Sequence, residues 1–554
     1  MKLKNQLPLP LIKYLNSTTI LLLSGLIILT SSCSHHEKVK NIFHYNEQSG
    51  IATLDPAFAK NQSIMWAVHQ IYNTLVQTDD HLNIVPSLAK SWDISPDNLT
   101  FIFHLRDDVF FQDNDAFPNG KGRKMTAQDV VYSFERILDK STASSGAWIF
   151  NGRVDTLHPF TAIDDTTFQL KLLSPFHPIL GVMSMQYCSI VPREVVEKYG
   201  KDFRRHPCGT GPFQLVAWEE GQALILKKNS LYFEKDSLGE RLPYLNGLKI
   251  SFLENKATEF LEFQQKRLEF INDIDPSFKD EVITKNGELR KEWTDKIVMI
   301  KHPYLTTEYL GFLQDTTLSV VKNSPLSLLK VRQAINYGFN RRKMMLYIRN
   351  SIGTPAESGF IPAGFPSFDS AAVRGYHYDP ARALQLLNEA GYPNGIGMAP
   401  IKLLTVPIYA DLASYIANEL LQIGIKINVE VVQKSLLLEQ TAKSEALFFR
   451  GSWIADYPDA ENFLSVFYGK NPAPPNYTRY TNPKFDQLYE AALSEKDNSI
   501  RAKIYQQADQ LMIRDAPVVP LWYDMVIRLV QPYVKNFTPN GLNLLELRRV
   551  KLEE

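Results

Sequence analysis

Alternation of apolar and polar side chains over Thr100 to Leu105 (TFIFHL) predicts a strand with one buried face, and Phe213 to Trp218 and Ala223 to Leu226 read the same way. Helical spacing takes over in Ala127 to Leu138 and in Ala381 to Ala390. Both helices carry local start signals. Thr126 can cap the first, with Asp129 in its opening turn, and Asp379-Pro380 offers the second an N-cap followed by an N1 proline. Gly391 stops that second helix. Ser87 to Trp92 reads as a short helical segment with an apolar anchor, and Asp55-Pro56 as a turn. Gly209-Thr210-Gly211-Pro212 reads as a tight connection using positive φ. Val331 to Met345 is amphipathic, and its Arg332, Arg341, Arg342 and Lys343 predict a solvated polar face. Strand and helix patterns that alternate throughout predict a mixed α/β protein, with no internal repeat.

The first forty residues follow a different pattern. Met1 to Asn16 carries Lys2, Lys4 and Lys13 with no acid, Ile20 to Leu29 is apolar apart from Ser24 and Gly25, and Thr30-Ser31-Ser32-Cys33 follows. Ten helical residues span about 15 Å, half of a hydrocarbon core near 30 Å, so a signal peptide over 1–32 is expected and not a permanent span. Cys33 directly after small residues resembles a lipobox, although Thr30 stands where Leu is usual. That resemblance implies acylation of Cys33 and a lipidated tether over 33–42, in which His35 and His36 are solvated spacer. After Asn41 no apolar run approaches 18 residues.

Composition narrows the function. A chain of 554 residues suits three or four domains, or one large two-lobed body with an insertion. With 44% apolar and 22% charged residues, neither a disordered nor a fibrous class fits. Sixty basic residues balance sixty acidic ones, and removal of 1–32 deletes three lysines and no acid, leaving 57 − 60 = −3. No basic field is available for nucleic acid. Three cysteines without a CxxC pair argue against a disulfide scaffold and a cysteine zinc site. With Cys33 in the anchor, Cys188 and Cys208 either pair or remain as buried thiols. GxSxG, HExxH, Walker A and GxGxxG patterns are all missing. Gly209 to Pro212 is a poor phosphate cradle, because Pro212 lacks an N–H and a strand pattern follows. Asp456 and Asp459, three apart beside Trp453, keep a carboxylate hydrolase open as an alternative.

One succession of fragments is more specific than any of these. In order stand Thr53-Leu54-Asp55-Pro56-Ala57, Ile71-Tyr72-Asn73-Thr74-Leu75-Val76, Pro86-Ser87-Leu88-Ala89-Lys90-Ser91-Trp92, Phe103-His104-Leu105-Arg106 and Met125-Thr126-Ala127-Gln128-Asp129-Val130. Gly209-Thr210-Gly211-Pro212-Phe213, Val331-Arg332-Gln333-Ala334-Ile335, Ala390-Gly391-Tyr392, Trp453-Ile454-Ala455-Asp456-Tyr457-Pro458-Asp459 and Ala516-Pro517-Val518-Val519-Pro520-Leu521 complete it. This order resembles the family 5 solute-binding proteins of ABC importers, the oligopeptide- and dipeptide-binding lipoproteins. Gly338-Phe339-Asn340-Arg341 and Leu268-Glu269-Phe270-Ile271-Asn272 depart from the family pattern, both in framework segments.

The resemblance implies a two-lobed α/β fold like that of periplasmic binding proteins of type II, in the extended class. Lobe 1 would comprise 43–75, 190–300 and 524–554, with an extra subdomain over 76–189, and lobe 2 would span 301–523. It further implies a monomer at the periplasm or cell surface that needs no cofactor or metal, catalyses nothing, and hands short peptides from an interlobe cleft to permease subunits. Asp456 would pair with the peptide's α-ammonium, while the backbone of Ser452 and Ile454 would bond the peptide chain. Arg450 would either hold the peptide carboxylate or bridge acids of its own protein, and Trp453 would line a side-chain pocket. Thr306 (in Leu305-Thr306-Thr307), Trp148 and Tyr523 fall near ligand-touching segments of the family. A non-peptide solute on the same scaffold, such as a metal chelate, haem, glutathione or an oligosaccharide, is the alternative reading.

Overall fold

The computed structural model describes residues 41–274 and 276–553, so the expected leader and the Cys33 anchor lie outside the described residues. Eleven strands join in one sheet. In chain order they are β1 (Ile42–Asn46), β2 (Phe213–Glu219), β3 (Ala223–Lys228), β4 (Gly247–Ser251), β5 (Phe270–Asn272), β6 (Val298–Phe312), β7 (Thr354–Pro355), β8 (Ile401–Thr405), β9 (Ile427–Val431), β10 (Phe448–Ile454) and β11 (Val518–Val530). Their order across the sheet is β9-β8-β10-β6-β11-β5-β1-β4-β3-β2, with β7 added against β11.

Two strands tie the halves together. β6 and β11 are 15 and 13 residues long and antiparallel. One end of the pair, Val298 opposite Val530, lies beside β5. The other end, Gly311 opposite Val518, lies beside β10. Between Pro303↔Met525 and Thr307↔Tyr523 the register slips, so that 304–306 face a single residue of β11. Pro303 has no N–H to give to a ladder, and such a bulge bends a strand and re-aims its side chains. Leu305 leaves the β6–β11 ladder altogether: its N–H donates to Gly541 O (3.1 Å) and its C=O accepts from Ala455 N–H (2.8 Å).

Each half has its own core. Phe43, Trp66, Phe103, Phe134 and Leu226 belong to one continuous cluster that unites the first lobe with its subdomain. The subdomain is an antiparallel sheet of Ala89–Ile94, Thr100–Leu105, Thr167–Lys171 and Phe160–Asp164, in that order, with helix Ala127–Leu138 against it. In the second lobe, Phe360, Phe463, Phe485 and Met512 pack in one cluster, and Phe312, Ile335, Leu387 and Trp522 in another. The lobes touch where Leu82 enters the second lobe's core and where His177 N–H donates to Leu493 O (3.0 Å). The result is a two-lobed, mixed α/β body crossed by two strands. Among the described residues, no helix is long and apolar enough to cross a membrane.

Local signals hold where the chain could satisfy itself. Helix Ala127–Leu138 starts in a capping box of Thr126 and Asp129. Helix Pro380–Glu389 starts with the Asp379 carboxylate accepting from Arg382 N–H (2.9 Å), and Gly391 follows it at φ +88°.

Three expectations are corrected. Ser87 to Trp92 is not helical: Ala89–Ile94 is a strand, because Trp92 pairs across to Phe103 with rings 6.4 Å apart. Gly209 and Gly211 are not at positive φ; they are small because a Cβ on either would meet the Ile71 backbone at 2.2 and 2.4 Å. Val331 to Met345 is two helices, Leu329–Tyr337 and Arg341–Ile348, and its arginines do not all face water. Arg332 and Arg341 are buried, donating to the carbonyls of Asp515, Ala516 and Pro520, while Arg342 and Lys343 stay exposed. Cys188 and Cys208 are buried free thiols, each pushed up by burial and so unreactive.

Candidate functional site

β10 carries the geometry that matters. It pairs antiparallel with β6 from Phe448 to Ile454, but meets β8 only at Phe449. Beyond Phe449 its second edge is therefore unpaired by any strand among the described residues. Ala455 N–H points to β6, and bonding alternates along an antiparallel ladder, so the N–H and C=O groups of Ser452 and Ile454 point to the open edge. Gly451 lets the strand lie flat on Tyr309, whose ring would stand 2.4 Å from a Cβ there.

Asp456 lies just past that edge. Its backbone N–H donates to Asn462 Oδ1 and its Oδ2 accepts from Asn462 Nδ2, both at 3.3 Å, while Trp453 Nε1 donates to the same Asn462 Oδ1 at 3.0 Å. Among the described residues Asp456 has no ion-pair partner. Its carboxylate is exposed to the open cleft, yet protein crowds it on both sides. Loss of bulk water raises its pKa, with Asn462 opposing the rise. Tyr304, delivered by the bulge in β6, shares the site, and burial, aided by the charges of Asp524, Glu308 and Asp456, pushes its hydroxyl up to about 12.

Two cavities meet at this carboxylate. One, about 300 Å³, runs between the lobes and is lined by Gln62, Met65, Trp66, Met185, Tyr304 and Ile454. The other, about 360 Å³, lies between the subdomain and the second lobe and is lined by Trp148, Arg153, Phe176, Trp453 and Tyr457. Pockets of roughly 300–1,000 Å³ with mostly apolar walls and a few convergent polar groups are the usual small-ligand sites.

The structure separates the expected site residues. Asp456, Trp453, Ile454 and Trp148 converge on these cavities. Arg450 is ion-paired with a single acid of its own protein, Glu308, and lies 3.7 Å over the Tyr409 ring, which leaves it little freedom to hold a ligand carboxylate. Glu308 also accepts from Ser452 Oγ at 2.9 Å, which leaves Ser452 its backbone. Burial raises the Glu308 pKa and Arg450 opposes that. Thr306 is buried within the sheet opposite Ile454. Tyr523 is buried too, its hydroxyl donating to Gly359 O at 2.7 Å, so in this structure it supports the crossing strands and does not line either cavity. Asp459 accepts from Tyr505 Oη (2.7 Å) and Glu461 N–H (2.9 Å) beside Arg501 (3.4 Å), and opens into another cavity than Asp456. Two carboxylates facing different cavities do not flank one glycosidic bond.

Residue patterns missed Asn462, Tyr304 and Arg153, which carry no motif. Glu308 had one available signal, as the single acid in the segment that became β6.

The pattern describing bacterial extracellular solute-binding proteins, family 5 (middle), matches residues 83–475. The chain belongs to that family, the solute-binding components of ABC importers. Heme-binding protein A of Haemophilus influenzae is 29% identical over 487 residues, covering 84% of each chain. The glutathione-binding protein GsiB of Salmonella paratyphi A is 26% identical over 500 residues, covering 88% of this chain and 90% of that one. The solved structure of the ABC transporter-associated periplasmic binding protein DppA from Helicobacter pylori, in complex with peptide STSA, superposes with a TM-score of 0.72 at 26% identity, covering 94% of this chain and all of that one. The relatives share the family while differing in the ligands they are named for.

Proposed function

We propose that this family 5 protein captures short peptides with a free amine in its interlobe cleft and delivers them to the permease of an ABC importer. The observation that carries the reading is the unpaired Asp456 carboxylate at the end of an open strand edge. An ammonium leaving water for a closed cleft needs a carboxylate, and an extended peptide can add to the Ser452 and Ile454 edge through its backbone, which ignores side-chain identity. Closure of lobe 1 (43–75, 190–300 and 524–554, with 76–189 as its subdomain) on lobe 2 (301–523) would bury the ligand and present a shape that a permease reads. Acylation at Cys33 would hold this monomer on a membrane at the periplasm or cell surface.

The relative named for glutathione favours a second ligand of the same chemistry, since glutathione also carries a free amine. Calorimetric titration with di- to pentapeptides and glutathione, each free and N-acetylated, tests the proposal. The free forms are expected to bind and the acetylated forms to lose most of their affinity. Equal binding of both forms, or binding of neither alongside tight haem binding, overturns it.

A further inference from the structure

The cavity beyond Asp456 has charges at both walls, and they are of opposite sign. Asp456 stands on the second lobe and Arg153 on the subdomain, both lining the same space of about 360 Å³. Arg153 is the one cation among its lining residues, and among the described residues it makes no ion pair. Its Nη1 has only long contacts, 3.4 Å each, to the carbonyls of Trp148 and Ile149. The guanidinium lies 5.7 Å from the Trp148 ring and 4.6 Å from that of Phe176, so aromatic faces fix its direction without neutralising it. Glu461 also lines the cavity, but both its carboxylate oxygens are taken by the hydroxyls of Tyr457 and Tyr489. Burial raises its pKa, opposed first by those two hydroxyls and then by the Arg153 charge, with which Glu461 makes no direct ion pair.

Two arginines of the second lobe are matched internally: Arg450 by Glu308 and Arg349 by Asp524 at 2.9 Å. Arg153 is left over, half-buried and facing a void. A half-buried cation without a partner is the less favourable of the two arrangements unless a ligand supplies the anion. A planar guanidinium fork suits a carboxylate.

We propose that this cavity recognises a carboxylate borne by the ligand's first residue, with Arg153 as the specificity-determining side chain. The ligand class is a peptide whose free amine sits on Asp456 and whose first residue carries an anion a few bonds away. That anion is either the side-chain carboxylate of an N-terminal Asp or Glu or the α-carboxylate of a γ-linked glutamyl residue. Because the two charges come from the subdomain and the second lobe, such a ligand ties those two bodies together, and the apolar walls of Trp148, Trp453 and Phe176 strengthen both contacts by excluding water. The inference rests on the peptide reading above and narrows it.

The test is calorimetry of the full chain with Glu-Ala-Ala, Gln-Ala-Ala and γ-Glu-Ala, for the wild type, Arg153→Gln and Arg153→Lys. The wild type is expected to hold at least one acidic ligand about tenfold more tightly than Gln-Ala-Ala. Arg153→Gln should erase that preference while Gln-Ala-Ala is still bound, and an unchanged urea unfolding transition shows that the variant is folded. Arg153→Lys should retain part of the preference. Which acidic ligand is tighter identifies the source of the carboxylate. Binding of Gln-Ala-Ala with no preference for either acidic ligand, or a preference that survives Arg153→Gln, overturns the inference alone. Failure of all three ligands to bind overturns the peptide reading and this inference with it.

Discussion

The two ends of the segment from Arg450 to Asp456 are treated in opposite ways. Arg450 sits next to Phe449, the one residue of β10 flanked by strands on both edges; its charge is cancelled by Glu308 and its face covered by Tyr409. Asp456 sits where the second edge has opened, and no cation answers it. One end is a finished piece of framework and the other is left incomplete. An unanswered charge at the mouth of a cavity adds nothing to the cohesion of the fold, and it marks where a binding partner belongs.

The largest effect that can sharpen this contrast is at the finished end. Glu308→Ala strands Arg450, whose side chain is 13% exposed, and removes the acceptor of Ser452 Oγ. It is expected to destabilise the fold by about 3–5 kcal/mol, read from urea unfolding, with any loss of ligand affinity following from the damaged strand. At the unfinished end the pattern reverses. Asp456→Ala is expected to leave unfolding within about 0.5 kcal/mol of wild type and to cost about 2 kcal/mol or more of peptide affinity. A stability loss at Asp456 equal to that at Glu308 would break the comparison.

The smallest effect is pH dependence. Only ionised Asp456 attracts an ammonium, and its pKa is raised by burial. Affinity should therefore fall on acidification at a higher pH than an ordinary aspartate, near 3.9, would dictate. Stability of the free protein has the other sign. The folded state binds this proton more tightly than the unfolded chain does, so Asp456 opposes folding above its raised pKa and ceases to do so as pH falls through it. In Asp456→Asn the acid limb of the affinity profile should disappear, and calorimetry across a pH series checks both signs.

The family resemblance pointed to Trp453, Ile454 and Asp456, which the structure places on the two cavities, because a short strand ending in Asp-Tyr-Pro-Asp is contiguous in sequence. It left Arg450 undecided, since its partner Glu308 lies 142 positions away. The residue pattern put Arg332 and Arg341 in solvent because the segment that buries them, with accepting carbonyls at Asp515, Ala516 and Pro520, is more than 170 positions distant. Tyr523 read as ligand-facing for the same kind of reason: only the packed structure shows its hydroxyl on Gly359 O, 164 positions before it.

What the sequence determined by itself is therefore what neighbouring residues can settle among themselves. The capping of Ala127–Leu138 by Thr126 and Asp129, the start and stop of Pro380–Glu389, and the alternation of Thr100–Leu105 depend on bonds reaching no further than four residues or on a period of two. The tertiary structure decided which charges are spent. Ser87 to Trp92 became a strand because a partner strand offered Trp92 the face of Phe103, Arg450 was neutralised by a strand it pairs with, and Asp456 and Arg153 were brought to opposite walls of one cavity without a mate. Charge interactions act through space and are scaled by local exclusion of water, and both quantities come into being only when distant segments are packed together.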